Sequence, residues 1–287
     1  MSQKSAGLRG LISSGTIFLQ PWVGCALHAK LAESLGFKAV GISGANVSGH
    51  ILGIPDVGLI TLTELVQNTQ RICSAVNIPV MVDCDTGFGN AINVRRTVEA
   101  VIKAGAAGLF IEDQVAPKRC GFVKGKETLP LDEALGKYRA ALDARNEIDP
   151  DFVIMARTDA RGAVGGSLED CVARLKAYKQ AGVDMVYAEA LQSMDELRAV
   201  RVKVEGPLFV TTKAIQPAPT FEQLREAGVC MASPHPARAG NMAIWDLLQI
   251  AKTKGRSAAV AEATSSSNDP LSGAGAAVLF GRPKLRE

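Results

Sequence analysis

Short apolar runs alternate with amphipathic stretches along most of the chain. The stretches, such as NVRRTVEAVIKAGA and LEDCVARLKAYKQAGV, carry apolar residues three and four positions apart, as one buried face of a helix requires. Several end in Ala-Gly or Leu-Gly, which is typical of helix C-termini. The apolar runs between them predict eight strands, at 15–20, 38–43, 78–85, 107–113, 152–159, 184–190, 206–212 and 228–233.

Eight strands separated by helices predict a parallel sheet, because each crossover helix returns the chain to the same end of the sheet. The number of units and the chain length favour a (β/α)8 TIM barrel, a fold of about 250 residues. A doubly wound open sheet is the alternative, but QPWVGCALHAK after the first run contains no GxGxxG motif. No internal linker divides the chain. We therefore expect a single domain over 1–287, with the barrel at about 10–250 and an extra helix and tail at 251–287.

Composition argues against several classes of protein. The 287 residues carry a formal net charge of only +3, and no basic block is interleaved with aromatic residues, so a nucleic-acid partner is not expected. No apolar run approaches the roughly 18 residues that span a bilayer, and the first residues lack the apolar core of a signal peptide. Six cysteines without a CxxC pair predict neither a zinc site nor a disulfide framework. We expect a cytoplasmic protein.

Carboxylates follow several of the predicted strands. In a parallel barrel the C-terminal ends of the strands meet on one face, so residues at those ends converge. A group of acids there needs a cation or shared protons, and ligands that are all oxygen suit Mg2+ or Mn2+ rather than zinc. TGFGN separates Asp83 and Asp85 from the next helix, so helix capping does not explain them, whereas Asp159 directly precedes a predicted helix and is expected to cap it. Glu112 ends a buried strand, and Asp56 is ambiguous by itself.

Other polar residues at this face suggest that it binds a carboxylate. Arg157 ends the fifth strand, where its guanidinium could grip a substrate carboxylate or pair with Glu112 or Glu189. The turn Ser43-Gly44-Ala45 offers backbone N–H groups to another carboxylate. Loops seven and eight lack the glycine-rich turn of a phosphate site, so phosphate is not the favoured substrate group.

The loop APKRCGFVKGKE, at 116–127, places a cysteine among cations. Structural cysteines usually lie among apolar residues, so we interpret Cys120 as a thiol that is exposed or used chemically. The three histidines offer no Ser–His–Asp triad. His28 is expected on a helix, at the surface or in packing, and His50 and His235 are expected near the mouth of the barrel.

Three motifs together resemble one family. VDCDTGFGN, IEDQVAPKRCG and FVIMARTDA, on the third, fourth and fifth strands, are similar to motifs of the isocitrate lyase and phosphoenolpyruvate mutase superfamily, closest to its methylisocitrate lyase and 2,3-dimethylmalate lyase branch. The resemblance runs from about residue 10 to 250. It implies a TIM barrel and a homotetramer in which paired subunits exchange the last helix. It also implies Mg2+ held by Asp83 and Asp85, with Asp56 and Glu112 reaching the ion through water.

The resemblance also implies a reaction. A 2-hydroxy di- or tricarboxylic acid, such as 2-methylisocitrate or 2,3-dimethylmalate, would be cleaved to a 2-oxo acid such as pyruvate and a second carboxylic acid. Cys120 would donate a proton to the departing carbon, while Lys118 and Arg119 hold the departing anion. The base is left open between Glu189, Asp113 and a metal-bound water. The expected substrate contacts are Ser43, Gly44, Ala45, Asp83, Gly121, Arg157 and Thr211.

Three positions depart from the family pattern. Phe122 follows Cys-Gly where lyases usually have histidine, and Thr211 stands where an asparagine that binds the substrate is common. Gly41 and Ile42 replace a frequent tyrosine before the Ser-Gly turn. The first two departures suggest a less polar or shorter substrate than methylisocitrate. The alternatives are an oxaloacetate decarboxylase or hydrolase, a carboxyphosphonoenolpyruvate or phosphonopyruvate enzyme with the same enolate chemistry, and a barrel retained as a non-enzymatic scaffold.

Overall fold

The computed structural model describes residues 2–264, and its centre is one parallel sheet of nine strands. The strands are β1 Phe18–Leu19, β2 Trp22–Val23, β3 Val40–Ile42, β4 Val80–Asp83, β5 Gly108–Glu112, β6 Val153–Thr158, β7 Met185–Ala188, β8 Leu208–Val210 and β9 Met231–Ala232. Sequence neighbours from β2 to β9 pair in order, as a repeated strand–helix unit requires.

The sheet closes into a barrel because the chain itself joins its two edges. β1 pairs with β9, β2 pairs with β3, and only Gln20 and Pro21 separate β1 from β2. The N–H of Gln20 donates to the carbonyl of Ala232 at 2.9 Å, and the N–H of Gly41 donates to that of Pro21 at 2.9 Å. The predicted barrel is therefore confirmed. The predicted first strand, 15–20, is displaced and split, because Pro21 has no N–H to continue the ladder.

Helices surround this sheet. They are α1 Gln3–Ser13, α2 Ala26–Ser34, α3 Gly44–Val47, α4 Leu62–Ala75, α5 Ala91–Lys103, α6 Leu131–Ile148, α7 Leu168–Ala181, α8 Met194–Lys203, α9 Phe221–Glu226, α10 Pro236–Lys254 and α11 Arg256–Thr264. A π-helical turn, Ser48–Leu52, follows α3, and a 3-10 turn, Ala160–Gly162, follows β6. Side-chain caps at Thr61, Asn90 and Thr220 fix the starts of α4, α5 and α9.

Apolar side chains form two cores, one on each face of the sheet. The larger core lies between strands and helices, and the smaller one fills the barrel interior. Strands buried on both faces explain why the sequence shows nearly continuous apolar runs. Leu8 and Ile12 of α1 belong to the inner core, where they pack at the end opposite the mouth. The large inner side chains are Trp22, Met81, Phe110, Met155, Met185, Tyr187, Phe209 and Met231.

The last described helices are largely exposed. Met242, Ile244, Trp245 and Leu248 of α10 are each more than half exposed, although all four are apolar. The extra helix predicted after residue 250 is present as α11, and residues 265–287 of the predicted tail lie outside the described residues. Among residues 2–264, no helix combines the length and apolar character needed to cross a membrane.

Candidate active site

The alternation of side chains along each strand places polar residues at the mouth of the barrel. In β5, Phe110 faces the interior and Ile111 faces the helices, so Glu112 faces the interior again. The inward residues that follow the same count on β4, β6, β7 and β8 are Asp83, Arg157, Glu189 and Thr211. The strand ends therefore bring these predicted site residues together.

Three aspartates and Lys118 form a buried cluster at this mouth. Lys118 Nζ lies 2.5 Å from Asp56 Oδ1 and 2.9 Å from Asp85 Oδ1. The N–H of Gly44 donates to Asp83 Oδ2 at 3.0 Å, and the N–H of Asp85 donates to Asp83 Oδ1 at 3.2 Å. Ion pairs and hydrogen bonds, rather than apolar contacts, therefore connect the segments that follow β3, β4 and β5.

The fourth acid, Glu112, has no hydrogen bond on either carboxylate oxygen, although both are buried. Its nearest described cation is Arg157, whose Nη1 lies 3.1 Å from Oε2. Burial raises the pKa of Glu112 and that of Asp83, and raises the pKa of Asp85 to about 6. Buried acids in this state are stabilised by a bound cation, and a set of oxygen donors fits Mg2+.

Space for such an ion depends on the glycine of the Ser-Gly-Ala turn. A Cβ at Gly44 would lie 2.9 Å from Asp85 Oδ1 and 3.2 Å from Asp83 Oδ2, so a side chain would fill the gap between the two acids. The first two N–H groups of the turn are used within the protein, since that of Ser43 donates to the carbonyl of Val23. Ser43 and Ala45 line the cavity, so Ser43 could contact a carboxylate there only through its hydroxyl.

Arg157 links the acid cluster to the opposite wall. It forms a two-pronged pair with Asp159, with Nε 2.8 Å from Oδ2 and Nη2 3.0 Å from Oδ1. Nη2 also lies 3.6 Å from Glu189, and the guanidinium carbon lies 5.1 Å from the centroid of the Tyr187 ring. Both ion pairs considered from the sequence, with Glu112 and with Glu189, are present. A guanidinium fixed in this way is pre-oriented toward the cavity that it lines.

Two hydroxyls orient Glu189. Thr211 Oγ1 donates to Glu189 Oε1 at 2.8 Å, and the hydroxyl of Tyr187 donates to Oε2. The carboxylate is buried, and it lines the same cavity as Arg157. Thr211 is predicted from the sequence to contact the substrate. Because its hydroxyl donates to Glu189, its oxygen could only accept a hydrogen bond from a ligand.

The loop after β5 crosses the mouth of the barrel, and hydrogen bonds fix its two ends. Gln114 and Thr128 form an antiparallel bridge, and the side chain of Gln114 makes two hydrogen bonds to the backbone of Arg119, at 2.9 and 3.0 Å. The N–H of Val123 donates to the carbonyl of Cys120 at 2.8 Å, which closes a tight turn at the tip. Cys120 is half-buried and faces the cavity.

Lys126 fastens the tip of this loop, a role that the sequence analysis missed. Its buried ammonium donates to the carbonyl of Gly121 at 2.5 Å and to Asp159 at 2.7 Å. Gly121 in turn packs so closely that a Cβ there would lie 2.6 Å from Arg157 and 2.8 Å from Glu189. The KGK spacing after the cysteine is the only sequence signal for this contact, and it does not specify a partner.

Two aspartates play parts other than those expected. Asp113, one residue beyond Glu112, points outward and accepts hydrogen bonds from Thr158 and Tyr178, each at 2.7 Å, so it is not a base in the cavity. Asp159 precedes the 3-10 turn, but its side chain makes no capping hydrogen bond to it. Burial opposes the charge of Asp159, but Arg157 and Lys126 outweigh that effect and lower its pKa.

The other predicted loop residues divide between the cavity and its surroundings. Lys118 pairs with the acids rather than lining the cavity, and Arg119 is exposed, with its guanidinium directed at the carbonyl of Lys124. His235 lines the cavity, where burial and the nearby Arg238 lower its pKa.

All these walls enclose one cavity of about 620 Å3 at the mouth. Acids lie on the β3–β5 side, and Lys213, His235 and Arg238 lie on the side of β8 and α10. Trp22, Phe110, Tyr187 and Phe209 form an aromatic floor, with ring centroids 4.5 to 6.1 Å apart in successive pairs. An apolar floor below charged walls defines a site for a small polyanion with a short carbon skeleton.

Sequence comparison identifies the family of this site. The model of the family described as phosphoenolpyruvate phosphomutase matches residues 8–250. A 2-methylisocitrate lyase of Aeropyrum pernix is 45% identical over 223 residues, which cover 77% of this chain and 70% of that protein. A 2,3-dimethylmalate lyase of Eubacterium barkeri is 43% identical over 202 residues, covering 70% and 68%. The chain belongs to the phosphoenolpyruvate mutase and isocitrate lyase superfamily.

Solved structures agree with this assignment. An oxaloacetate acetylhydrolase bound to 3,3-difluorooxalacetate superposes with a TM-score of 0.83 at 31% identity, covering 88% of this chain and 87% of that one. A phosphonopyruvate hydrolase complexed with oxalate and Mg2+ gives a TM-score of 0.79 at 31% identity, covering 89% and 88%. The predicted superfamily is confirmed, and the named relatives support the predicted class of carbon–carbon lyase.

Proposed function

We propose that this protein cleaves a carbon–carbon bond in a 2-hydroxy di- or tricarboxylic acid, of the 2-methylisocitrate or 2,3-dimethylmalate type. The observation that carries the proposal is the position of Cys120 in the wall of the cavity that Arg157 and Glu189 also line. A proton donor, a fixed cation and an oriented carboxylate around one small cavity are the groups that such a cleavage needs.

Magnesium is the cofactor that suits this proposal, with Mn2+ as a substitute. Asp83 and Asp85 would hold the ion, with Asp56 and Glu112 around it, and the two buried oxygens of Glu112 that accept no hydrogen bond support this set. When bound, the ion would polarise the hydroxyl and the adjacent carboxylate of the substrate. Lys118 is the cation that neutralises these acids within the protein.

The chain's own residues would do the following work. Arg157 binds and orients a substrate carboxylate, since its guanidinium is already held by Asp159. Glu189, oriented by Thr211 and Tyr187, accepts the hydroxyl proton. Cys120, on the loop side of the cavity, donates a proton to the carbon that becomes negatively charged as the carbon–carbon bond breaks. That carbon is therefore protonated from the side of the loop.

The wall of the cavity opposite the acid cluster would bind a second carboxylate of the substrate. Lys213 and Arg238 stand across the cavity from the acid cluster, so a dianion would span the space between the two walls. Phe122 lies beneath Lys213, with the ammonium 4.3 Å from its ring centroid. An apolar side chain where relatives have histidine suggests an alkyl-substituted or short substrate. Oxaloacetate hydrolysis is the second candidate, because a solved oxaloacetate acetylhydrolase has the same fold over most of its length.

A substrate panel tests the proposal. Purified protein with Mg2+ is expected to release pyruvate from 2-methylisocitrate or 2,3-dimethylmalate with a kcat/KM at least about tenfold above that for any other compound, a difference of about 1.4 kcal/mol in transition-state binding. Oxaloacetate and phosphonopyruvate complete the panel. Oxalate and acetate are measured as the hydrolysis products of oxaloacetate. Preferential turnover of either of these two compounds would replace the proposed lyase activity by the corresponding alternative.

We also propose a homotetramer assembled through α10, because a stripe of exposed apolar residues on one helix marks an interface. Trp245→Glu is expected to reduce the assembly to smaller species, since burying a carboxylate in an apolar contact is strongly unfavourable. Size-exclusion chromatography with light scattering measures the mass. Val202→Glu, at an isolated apolar residue of α8 that is 86% exposed, is the control that should keep the native mass. An unchanged mass for Trp245→Glu would exclude this face from the interface.

A further inference from the structure

A second cluster of potential metal ligands lies between the start of α2 and the π-helical turn. Cys25 directly precedes α2, His28 is in the first turn of that helix, and His50 is in the π-helical turn. One ligand atom from each residue lies within 4.8 Å of the others. The absence of CxxC pairs predicts no zinc site from the sequence. Cys25 and His28 have the related CxxH spacing, and the fold adds His50 from another element.

The local backbone is shaped to let His50 reach the other two residues. A Cβ at Gly24 would lie 2.1 Å from His50 Nδ1, so only glycine at that position allows the imidazole to approach. The rings of His28 and His50 meet edge to face, with centroids 5.3 Å apart. His50 lies on a π-helical turn, a form of backbone that often occurs at functional sites.

The donor atoms are available for a ligand. Nδ1 of His28 is buried and has no hydrogen-bond partner, and the thiol of Cys25, which forms no disulfide, lies beside this imidazole. Cys25 and His28 are partly buried and His50 is exposed, so solvent reaches one side of the cluster. A buried imidazole nitrogen without a partner is a cost that a metal ion would remove.

We propose that Cys25, His28 and His50 form a binding site for a zinc-class divalent cation, with water at an open fourth position. Tetrahedral zinc has bonds of about 2.3 Å to sulfur and about 2.0–2.1 Å to nitrogen, which place its ligand atoms about 3.5 Å apart. The three side chains need only a small closure from the present spacing. Binding requires that Cys25 lose its thiol proton to solvent as the metal–sulfur bond forms.

This site differs in chemistry from the acid cluster at the mouth. Thiolate and imidazole select zinc-class ions, whereas carboxylates select Mg2+ or Mn2+, so the two sites would take different metals. Asn46 adjoins both sites, since it lines the cavity and its Cβ lies 3.0 Å from the position that a Cβ at Gly24 would occupy beside His50. A metal on Cys25, His28 and His50 would clamp the segment that runs from the Ser-Gly-Ala turn toward Asp56.

Cobalt binding tests the site directly. The full chain, without an added histidine tag and stripped of metal under reducing conditions, is titrated with Co2+ in the presence of excess Mg2+, which occupies the carboxylates. We expect one Co2+ per chain with the near-ultraviolet charge-transfer band of a thiolate ligand, and displacement of that Co2+ by Zn2+. Cys25→Ser is expected to lose the band, while Cys120→Ser keeps it and serves as the matched control.

Substitution of the exposed ligand provides a second readout. His50→Gln is expected to weaken Co2+ binding by about 10- to 100-fold or more, because loss of even an outer-shell partner weakens metal sites by that factor. The absence of a thiolate band in the wild-type protein, or a band that survives Cys25→Ser, would overturn the site. If Cys25→Ser does not fold, the His50→Gln titration decides, and an unchanged affinity would then overturn the proposal.

Discussion

Replacing Cys120 by serine is expected to lower the rate of carbon–carbon cleavage by about 10²- to 10⁴-fold, the range that a positioned general acid contributes. Serine fits the same space, but its hydroxyl is a much weaker acid than a thiol, whose ordinary pKa is about 8.5. The tip of the loop is held by Lys126 on the carbonyl of Gly121, so the serine should occupy the place of the thiol. Steady-state kinetics should show a fall in kcat with little change in KM.

Cys230→Ser is the matched control for this variant. Cys230 precedes β9 at the end of the barrel opposite the mouth, where burial raises the pKa of its thiol to about 12, so it has no part in the proposed chemistry. Turnover of Cys230→Ser should remain near that of the wild type. Near-normal turnover of Cys120→Ser, in a variant with an unchanged unfolding temperature, would show that Cys120 is not the proton donor.

The sequence predicted which side chains face the mouth of the barrel, because the alternation of side chains along a strand is a local property. Counting by two from Phe110 reaches Glu112, and counting from Tyr187 reaches Glu189, so each side chain follows from its own strand. The same count explains why Asp113, a candidate base from the sequence, does not face the cavity. Asp113 differs from Glu112 by one position, and that single step directs it into the helix layer, where Tyr178 holds it.

What the sequence could not predict depends on contacts between distant segments. Lys126 and Asp159 are 33 residues apart, and their pairing exists only because the loop after β5 folds back over β6. Cys25 and His50 meet only because Gly24 leaves space between α2 and the π-helical turn. Periodicity describes one element at a time, so pairings that depend on loop paths are not visible in it.

Removal of divalent cations is expected to abolish the lyase activity, and Mg2+ or Mn2+ should restore it. The acids at the mouth include Glu112, with two unpartnered buried oxygens, and Asp85, whose pKa is raised by burial. Lys118 lies 2.9 Å from Asp85 and Arg157 lies 3.1 Å from Glu112, but the two carboxylate oxygens of Glu112 accept no hydrogen bond. A protein freed of metal with EDTA and then dialysed should therefore be inactive and bind Mn2+ at one site, as measured by electron paramagnetic resonance.

Asp85→Asn separates metal binding from a general loss of structure. Asparagine keeps the size of the side chain but removes its charge, so the variant should fold and bind Mn2+ much more weakly, with turnover lost in proportion. Asp195→Asn is the matched control, because Asp195 is 90% exposed and pairs with Arg198 at the surface of α8. Full activity in wild-type protein shown by elemental analysis to be free of metal would rule out the magnesium assignment. Retained Mn2+ affinity in Asp85→Asn would instead remove Asp85 from the ligand set, because the remaining acids would then suffice to hold the ion.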